Sequence, residues 1–301
     1  MKDIYSSISL VRFCRLLGIT RQALYKHGWR SDELNISAEL IIQQVIEIRK
    51  RHPVIGTRKL YLMLQQFLQE HQINMGRDKL FDLLAASKLL VRRRQRRVTT
   101  TQSYHRFHKY PNLIGEIKIT GINQLWVSDI TYYKMTGKFV YLSFVTDAYS
   151  RKIIGYHIAE TLEAIHSVRA LKMAISGLDC SRLYKIIHHS DRGIQYCSQG
   201  YVEVLEQNGI LISMTENGDP LENPIAERVN GIIKYEYLKR YQYNTIKELE
   251  QKLNQVIIFY NNERPHSSCS MLTPDKVHEQ NLPVNRKWKT YYRSSKSASV
   301  P

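Results

Sequence analysis

Three acidic residues stand where an acid is costly or conspicuous. Asp129 lies in QLWVSDITYY, Asp191 in HHSDRGIQYCS and Glu227 in ENPIAERVNGIIK, with 35 residues between the last two. Asp129 falls inside an apolar, strand-like run, a poor place for an unpaired charge unless something binds it. Asp191 follows Ile186 and Ile187 at the end of another such run, with Gly193 giving a sharp exit. Ligands gather at strand C-terminal ends in open α/β sheets. Glu227 falls in the first turn of a helix that Asn223 caps and Pro224 opens. Taken singly, Asp191 reads as a turn residue and Glu227 as an acid favoured by a helix dipole. Taken together they are a set of hard oxygen ligands. Two divalent ions about 4 Å apart serve an in-line displacement at phosphorus, and three carboxylates suffice for them if one bridges. Without metal the three repel, and at least one pKa should rise. The expected chemistry is metal-dependent attack on a phosphodiester.

The neighbours of the acids carry further expectations. Asn230, Gly231 and Lys234 follow Glu227 by three, four and seven residues, so they share its helix face, while Ile225, Val229 and Ile232 point to the core. That face offers a carboxylate, a residue with no side chain and an ammonium, which suits a phosphate backbone running close to a helix. Asp147 is the competing acid, at the end of the second strand, with Arg151 and Lys152 as its expected ion-pair partners. Of His188 and His189, one is expected in the core and the other on DNA or phosphate. Neither is placed in the metal shell.

The partner is read from charge. The 301 residues carry a formal net charge of +17 and are 43% hydrophobic, enough for a real core and for two domains. Residues 1–112 hold +13 of that excess and the remainder +4. A basic balance of this size fits a polyanion, because neutralising phosphates releases counterions. The four cysteines, Cys14, Cys180, Cys197 and Cys269, form no C-x-x-C pair. Zinc modules and a disulfide framework are therefore unsupported, and a reducing cytoplasm is expected. With no signal-peptide pattern and no long apolar run, no membrane span is expected.

The elements that position the acids follow from periodicity. Residues 1–30 read as two short helices around Gly18, with Leu10, Phe13, Leu16 and Leu17 as an apolar stripe. Thr20 caps the second helix, which would present Arg21, Gln22 and Lys26. A helix-turn-helix and a plain helical hairpin fit equally. Residues 36–90 read as a helical DNA-binding domain of three helices. Ser37 caps the first, with Leu40, Ile41, Val45 and Ile48 apolar; Thr57 begins the second; Gly76 precedes the third. Arg58 and Lys59 follow its HPVIGT turn as candidate DNA contacts. Residues 91–115 read as a basic linker in which Arg92, Arg93, Arg94, Arg96 and Arg97 are too dense to pack without a counter-charge, which backbone phosphates would supply. Tyr104 and Phe107 are placed there to stack on bases or on the next domain.

From residue 116 the order β-β-β-α-β-α-β-α describes a mixed five-stranded α/β sheet with flanking helices, ending near residue 280. A helix beginning at Thr245 is expected to pack back on it. Arg264, Pro265 and His266 read as a stiff turn, structural or DNA-contacting. Residues 281–301 form a basic, aromatic tail.

Several stretches carry a family resemblance. VSDITYY, HHSDRGIQYCS, ENPIAERVNGIIKYE and YNNERPHSSCSMLTP, with the spacing from Asp191 to Glu227, resemble the retroviral-integrase-type transposases of bacterial insertion sequences, in the class encoded in two overlapping frames. The resemblance covers roughly residues 36–280. It implies a ribonuclease-H-like core, magnesium or manganese (two ions), cleavage at element ends and strand transfer by the freed 3′-hydroxyl. It assigns Asp129, Asp191 and Glu227 as catalytic metal ligands and Lys234 as a DNA-phosphate contact. It further implies terminal inverted repeats and target DNA as partners, a homo-oligomer, an upstream-frame protein or fusion, and a cytoplasmic, nucleoid-associated setting. Two other readings stand beside it: a ribonuclease-H-fold nuclease that cuts without joining, and a non-catalytic DNA-binding regulator.

Overall fold

The computed structural model describes residues 9–91 apart from 17, 107–179 apart from 116, 185–216 and 223–284. It divides into two compact units, residues 1–50 with 56–91, and residues 51–55 with 92–301.

The first unit is all-helical. It comprises α1 (Leu10–Leu16), α2 (Arg21–Arg51, which runs on into the second unit), α3 (Thr57–Met63), α4 (Gln65–Glu70) and α5 (Arg77–Ala86). Its buried apolar residues include Ile41, Val45, Leu60, Leu64, Leu80 and Leu84, spaced at helical intervals as expected. Two expectations fail here. No boundary separates residues 30 and 36: one helix runs through the interval, which contains neither glycine nor proline to stop it. Ser37 therefore caps nothing. Leu16 and Leu40, assigned to apolar stripes, are exposed. The helix α3–α4 is nearly continuous through Leu64, whose N–H still reaches the Leu60 carbonyl at 3.0 Å.

The second unit contains the sheet. Strands β1 (Leu125–Lys134), β2 (Phe139–Asp147) and β3 (Ile153–Ala159) form an antiparallel meander; α6 (Ala164–Ser176) then leads to β4 (Ile187–Ser190). Short α7 (Ile194–Cys197) and α8 (Gln199–Gln207) lead to β5 (Leu211–Met214), and α9 (Pro224–Ile232) follows. The order across the sheet is β3-β2-β1-β4-β5, with β1–β4 and β4–β5 parallel. This is the expected mixed, ribonuclease-H-like arrangement. A five-residue π turn (Ile233–Tyr237) and a 3₁₀ turn extend α9, and α10 (Ile246–Ile258) packs back on the sheet. Thr245 caps α10, accepting from the Glu248 N–H at 3.2 Å. The last helix is α11 (Pro274–Gln280).

Alternation splits the core into two layers. Val140, Leu142 and Phe144 of β2 pack against residues of α9, the π turn and α10. Trp126 and Val145 face α6 and α8 on the other side. The α6 layer lies very close: a Cβ built on Gly155 of β3 would sit 2.1 Å from the Ala170 carbonyl oxygen. Five residues of the expected 36–90 domain, Arg51–Ile55, group with this unit. There His52 is buried between the Tyr237 hydroxyl at 2.9 Å and the Glu263 carboxylate at 3.2 Å.

Cys14, Cys197 and Cys269 are buried free thiols, and Cys180 lies outside the described residues. None of the described helices is long and apolar enough to cross a membrane.

Candidate active site

Asp129 leaves β1 on the side of Val127 and Tyr133, toward α9. Its Oδ1 accepts from the Ile130 N–H at 2.9 Å and its Oδ2 from Asn230 Nδ2, on α9, at 2.8 Å. Those bonds favour the ionised form. Burial, followed by the negative charges of Asp191 and Glu227, outweighs them and pushes the carboxyl up to about 8. The three predicted acids thus share one electrostatic site, from the middle of β1, the end of β4 and the first turn of α9. Asp191 turns the chain off β4 by accepting the Gly193 N–H at 3.0 Å. A Cβ on Gly193 would lie 2.9 Å from Asp191 Oδ1, so a side chain there would push the carboxylate aside. Glu227 is exposed at the N-terminal end of its helix.

Asn223 does not cap α9 with its side chain, contrary to expectation. Its Nδ2 instead donates to the Ser128 carbonyl at 2.9 Å, tying the start of the glutamate helix to the residue before Asp129. Tyr196, buried on α7, lies in the field of the cluster. Its phenol is held well above the usual range by burial, then Tyr201, then Asp129 and Asp191. Among the described residues the buried Tyr196 Oη, Asn223 Oδ1 and Asn230 Oδ1 have no hydrogen-bond partner. No group of three or more His, Cys, Asp or Glu side chains among the described residues is arranged to hold a metal ion as it stands. The donor chemistry still fits a hard divalent cation: carboxylate oxygens only, partly open to solvent, one of them carrying a proton for want of a counter-charge.

Beneath the acids is a packed polar floor. Both His188 and His189 are fully buried, so neither meets DNA, and the expected phosphate contact is overturned. His188 Nε2 lies 2.8 Å from the Ser128 hydroxyl and 2.9 Å from that of Tyr201. Burial, with His189 adding, lowers its pKa to about 3, so it stays neutral. His189 Nδ1 meets the Ser213 hydroxyl at 2.9 Å. β4 lies inside the sheet between β1 and the edge strand β5, which a reading of one strand alone misses.

Asp147, the competing acid, is a structural group. It accepts from the Asn123 N–H at 2.8 Å, the Ser150 N–H at 2.7 Å and the Ser150 hydroxyl at 2.6 Å, with His278 at 3.8 Å. Its partners are not those expected from sequence: Lys152 pairs instead with Asp275.

The predicted cations divide three ways. Arg21, Lys26 and Arg58 are exposed on the helical unit and Lys59 is half-buried. Arg92, Arg93, Arg94, Arg96 and Arg97, together with Tyr104 and the tail from residue 285, lie outside the described residues. Lys234 is buried rather than displayed to solvent. It is 8% exposed, with Nζ 4.0 Å from the centroid of the Tyr132 ring. Arg264 is likewise buried, held by both oxygens of Glu236 at 2.8 to 3.0 Å, and His266 is buried beside it. That turn is structural. The grip of Asn230 on Asp129 escaped the sequence, which showed the residue on the right face without showing which strand it meets.

With this geometry in hand, comparisons with known proteins can be placed. Residues 120–220 match one integrase core domain family and residues 208–274 a second. The insertion element IS600 uncharacterized 31 kDa protein of Shigella sonnei is 32% identical over 271 residues, covering 89% of this chain and 97% of that protein. The transposase for insertion sequence element IS629, also of Shigella sonnei, is 31% identical over 223 residues, covering 74% and 72%. Among solved structures, the HTLV-2 integrase catalytic core domain in complex with magnesium aligns at 23% identity and a TM-score of 0.43, over 52% of this chain and 96% of that one.

Proposed function

This chain belongs to the integrase-core transposases of bacterial insertion sequences, and from that premise we propose that it cleaves DNA at element ends and joins the freed 3′-hydroxyl to target DNA through Asp129, Asp191 and Glu227. The observation that carries this reading is the convergence of three acids from three separate elements, with Asn230 gripping the central one. These carboxylates would hold magnesium or manganese. Bound there, the cations supply activation of the attacking oxygen and charge stabilisation at the leaving oxygen.

The chain itself does the positioning. Asn230 fixes which oxygen of Asp129 faces α9, and the Ile130 N–H holds the other oxygen. The Gly193 N–H fixes the Asp191 carboxylate at the strand end. Asn223 anchors the first turn of α9, where the helix dipole favours the negative charge of Glu227. The exposed Arg21, Lys26 and Arg58 act as backbone-phosphate contacts on the helical unit. Two element ends must be held at once, so the working form contains more than one copy.

The test is incubation with the terminal repeats that flank the coding sequence, plus a circular target plasmid, with and without magnesium. Magnesium-dependent nicking followed by covalent joints, both lost in Asp191→Asn, is the expected result. Nicking without joints would mean a nuclease. Binding with neither would mean a non-catalytic DNA-binding protein.

A further inference from the structure

Two rings at the edge of β1 have no part in the chemistry above. Tyr132 and Phe139 are 46% and 50% exposed, and they meet edge to face at 5.8 Å. One face of Tyr132 is taken by the Lys234 ammonium, 4.0 Å from the ring centroid. Nearly half of the tyrosine nonetheless remains open to solvent. β1 pairs with β4 only over Leu125–Val127, so from Asp129 to Tyr132 that side of β1 has no strand beside it among the described residues. Tyr132 lies three residues beyond Asp129, about 10 Å at about 3.3 Å per residue. Alternation sends the two side chains to opposite faces of the strand. Lys234, however, comes from the segment that extends the glutamate helix on the Asp129 side and still reaches the Tyr132 ring. The ring therefore sits at the rim, where both faces are within reach.

An exposed aromatic ring backed by a cation, a short step from a site for phosphodiester chemistry, has a natural ligand. Every base presents a π face, and aromatic side chains stack on bases with little sequence preference. A base still inside a duplex is stacked on its neighbours, so a ring at the rim takes only one that has left the stack. The distance along β1 corresponds to about three nucleotide steps of about 3.4 Å. Resting on the DNA reading above, the geometry points to Tyr132, backed by Lys234 and flanked by Phe139, as a stacking platform for an unpaired base two or three nucleotides from the reacting phosphate.

Photo-crosslinking tests this without requiring turnover. The probe is a DNA duplex with a short single-stranded 3′ tail carrying iododeoxyuridine, compared with the same duplex with blunt ends. The expected crosslink maps to Tyr132 or Phe139. Tyr132→Phe keeps it, whereas Tyr132→Leu lowers both the crosslink and the preference for tailed over blunt DNA by about tenfold, the scale of one lost stacking contact. A crosslink mapping to another element overturns the inference, as does equal loss of tailed and blunt binding in Tyr132→Leu. Asp191→Asn is run in parallel. It separates the two readings, because the crosslink survives in that variant if the platform exists, whether or not the wild-type chain cuts.

Discussion

Asp129 and Asp147 sit on neighbouring antiparallel strands, both set into the fold although only Asp147 is sealed from solvent, and they are opposite in kind. Asp147 has three short hydrogen bonds and a histidine beside it. Burial alone would raise its pKa, but His278 and the Ser150 bonds outweigh burial and hold it below the ordinary carboxylate range. Asp129 has two donors and two like-charged neighbours, and its carboxyl is pushed up to about 8. Depth does not distinguish a structural acid from a chemical one. The distinction lies in whether the surroundings complete the charge or leave it wanting a cation.

If that contrast is right, removing each carboxylate damages a different property. Asp129→Asn should lower cleavage and joining by on the order of a thousandfold, the scale of a lost preorganised charge contact, with no loss of urea midpoint; a residual rate near wild type would break the comparison. Asp147→Ala should do the reverse. It strands buried donors and should cost about 3 kcal/mol of folding free energy by urea unfolding, with normal activity per folded molecule. Asn230→Ala sharpens the account of Asp129. Loss of an orienting partner should raise the magnesium concentration for half-maximal cleavage by about 10- to 100-fold, visible also as weaker Mn²⁺ binding by electron paramagnetic resonance.

A last contrast lies in the pH dependence of metal-free stability. Asp129 keeps its proton in the folded chain up to about 8, while the unfolded chain ionises near 3.8. The folded state binds more protons between those values, so stability falls as pH rises through that window. For Asp147 the folded pKa is lowered, so its stabilisation is present above its ordinary value and is lost as pH falls through the lowered one. Thermal melts should lose the fall in stability between about pH 4 and 8 in Asp129→Asn and the acid slope in Asp147→Asn. Parallel profiles for the two variants would remove the basis of the contrast.

Much of this was legible before any coordinates. All five strands appear where alternation and β-branched content place them, and the three acids lie on the elements expected of them. Periodicity reports which residues of an element face inward, and for α9 that was enough to put Glu227, Asn230 and Val229 on their proper sides. It does not report what an inward residue meets. Asn223 looked like a cap and became a tie to β1 because the Ser128 carbonyl was within reach. Lys234 was placed on the Glu227 face by counting along the helix, and the count could not show that its ammonium would lie over the Tyr132 ring. One of His188 and His189 was expected on DNA or phosphate, but both are buried, and Ser213 on the next parallel strand holds His189. Each miss turns on a neighbour distant in sequence, which no local window contains.

The bare backbone at Gly155 carries a different lesson, about inheritance. Any missense change at that codon adds at least a methyl group where the Ala170 carbonyl already stands, so α6 must lift from β3. A mobile element copy with such a lesion would keep all three acids and every diagnostic sequence stretch, yet its two layers could no longer close. Genome surveys that score copies by their acidic residues would count it as competent, when it had been silenced by a single carbon atom far from the chemistry.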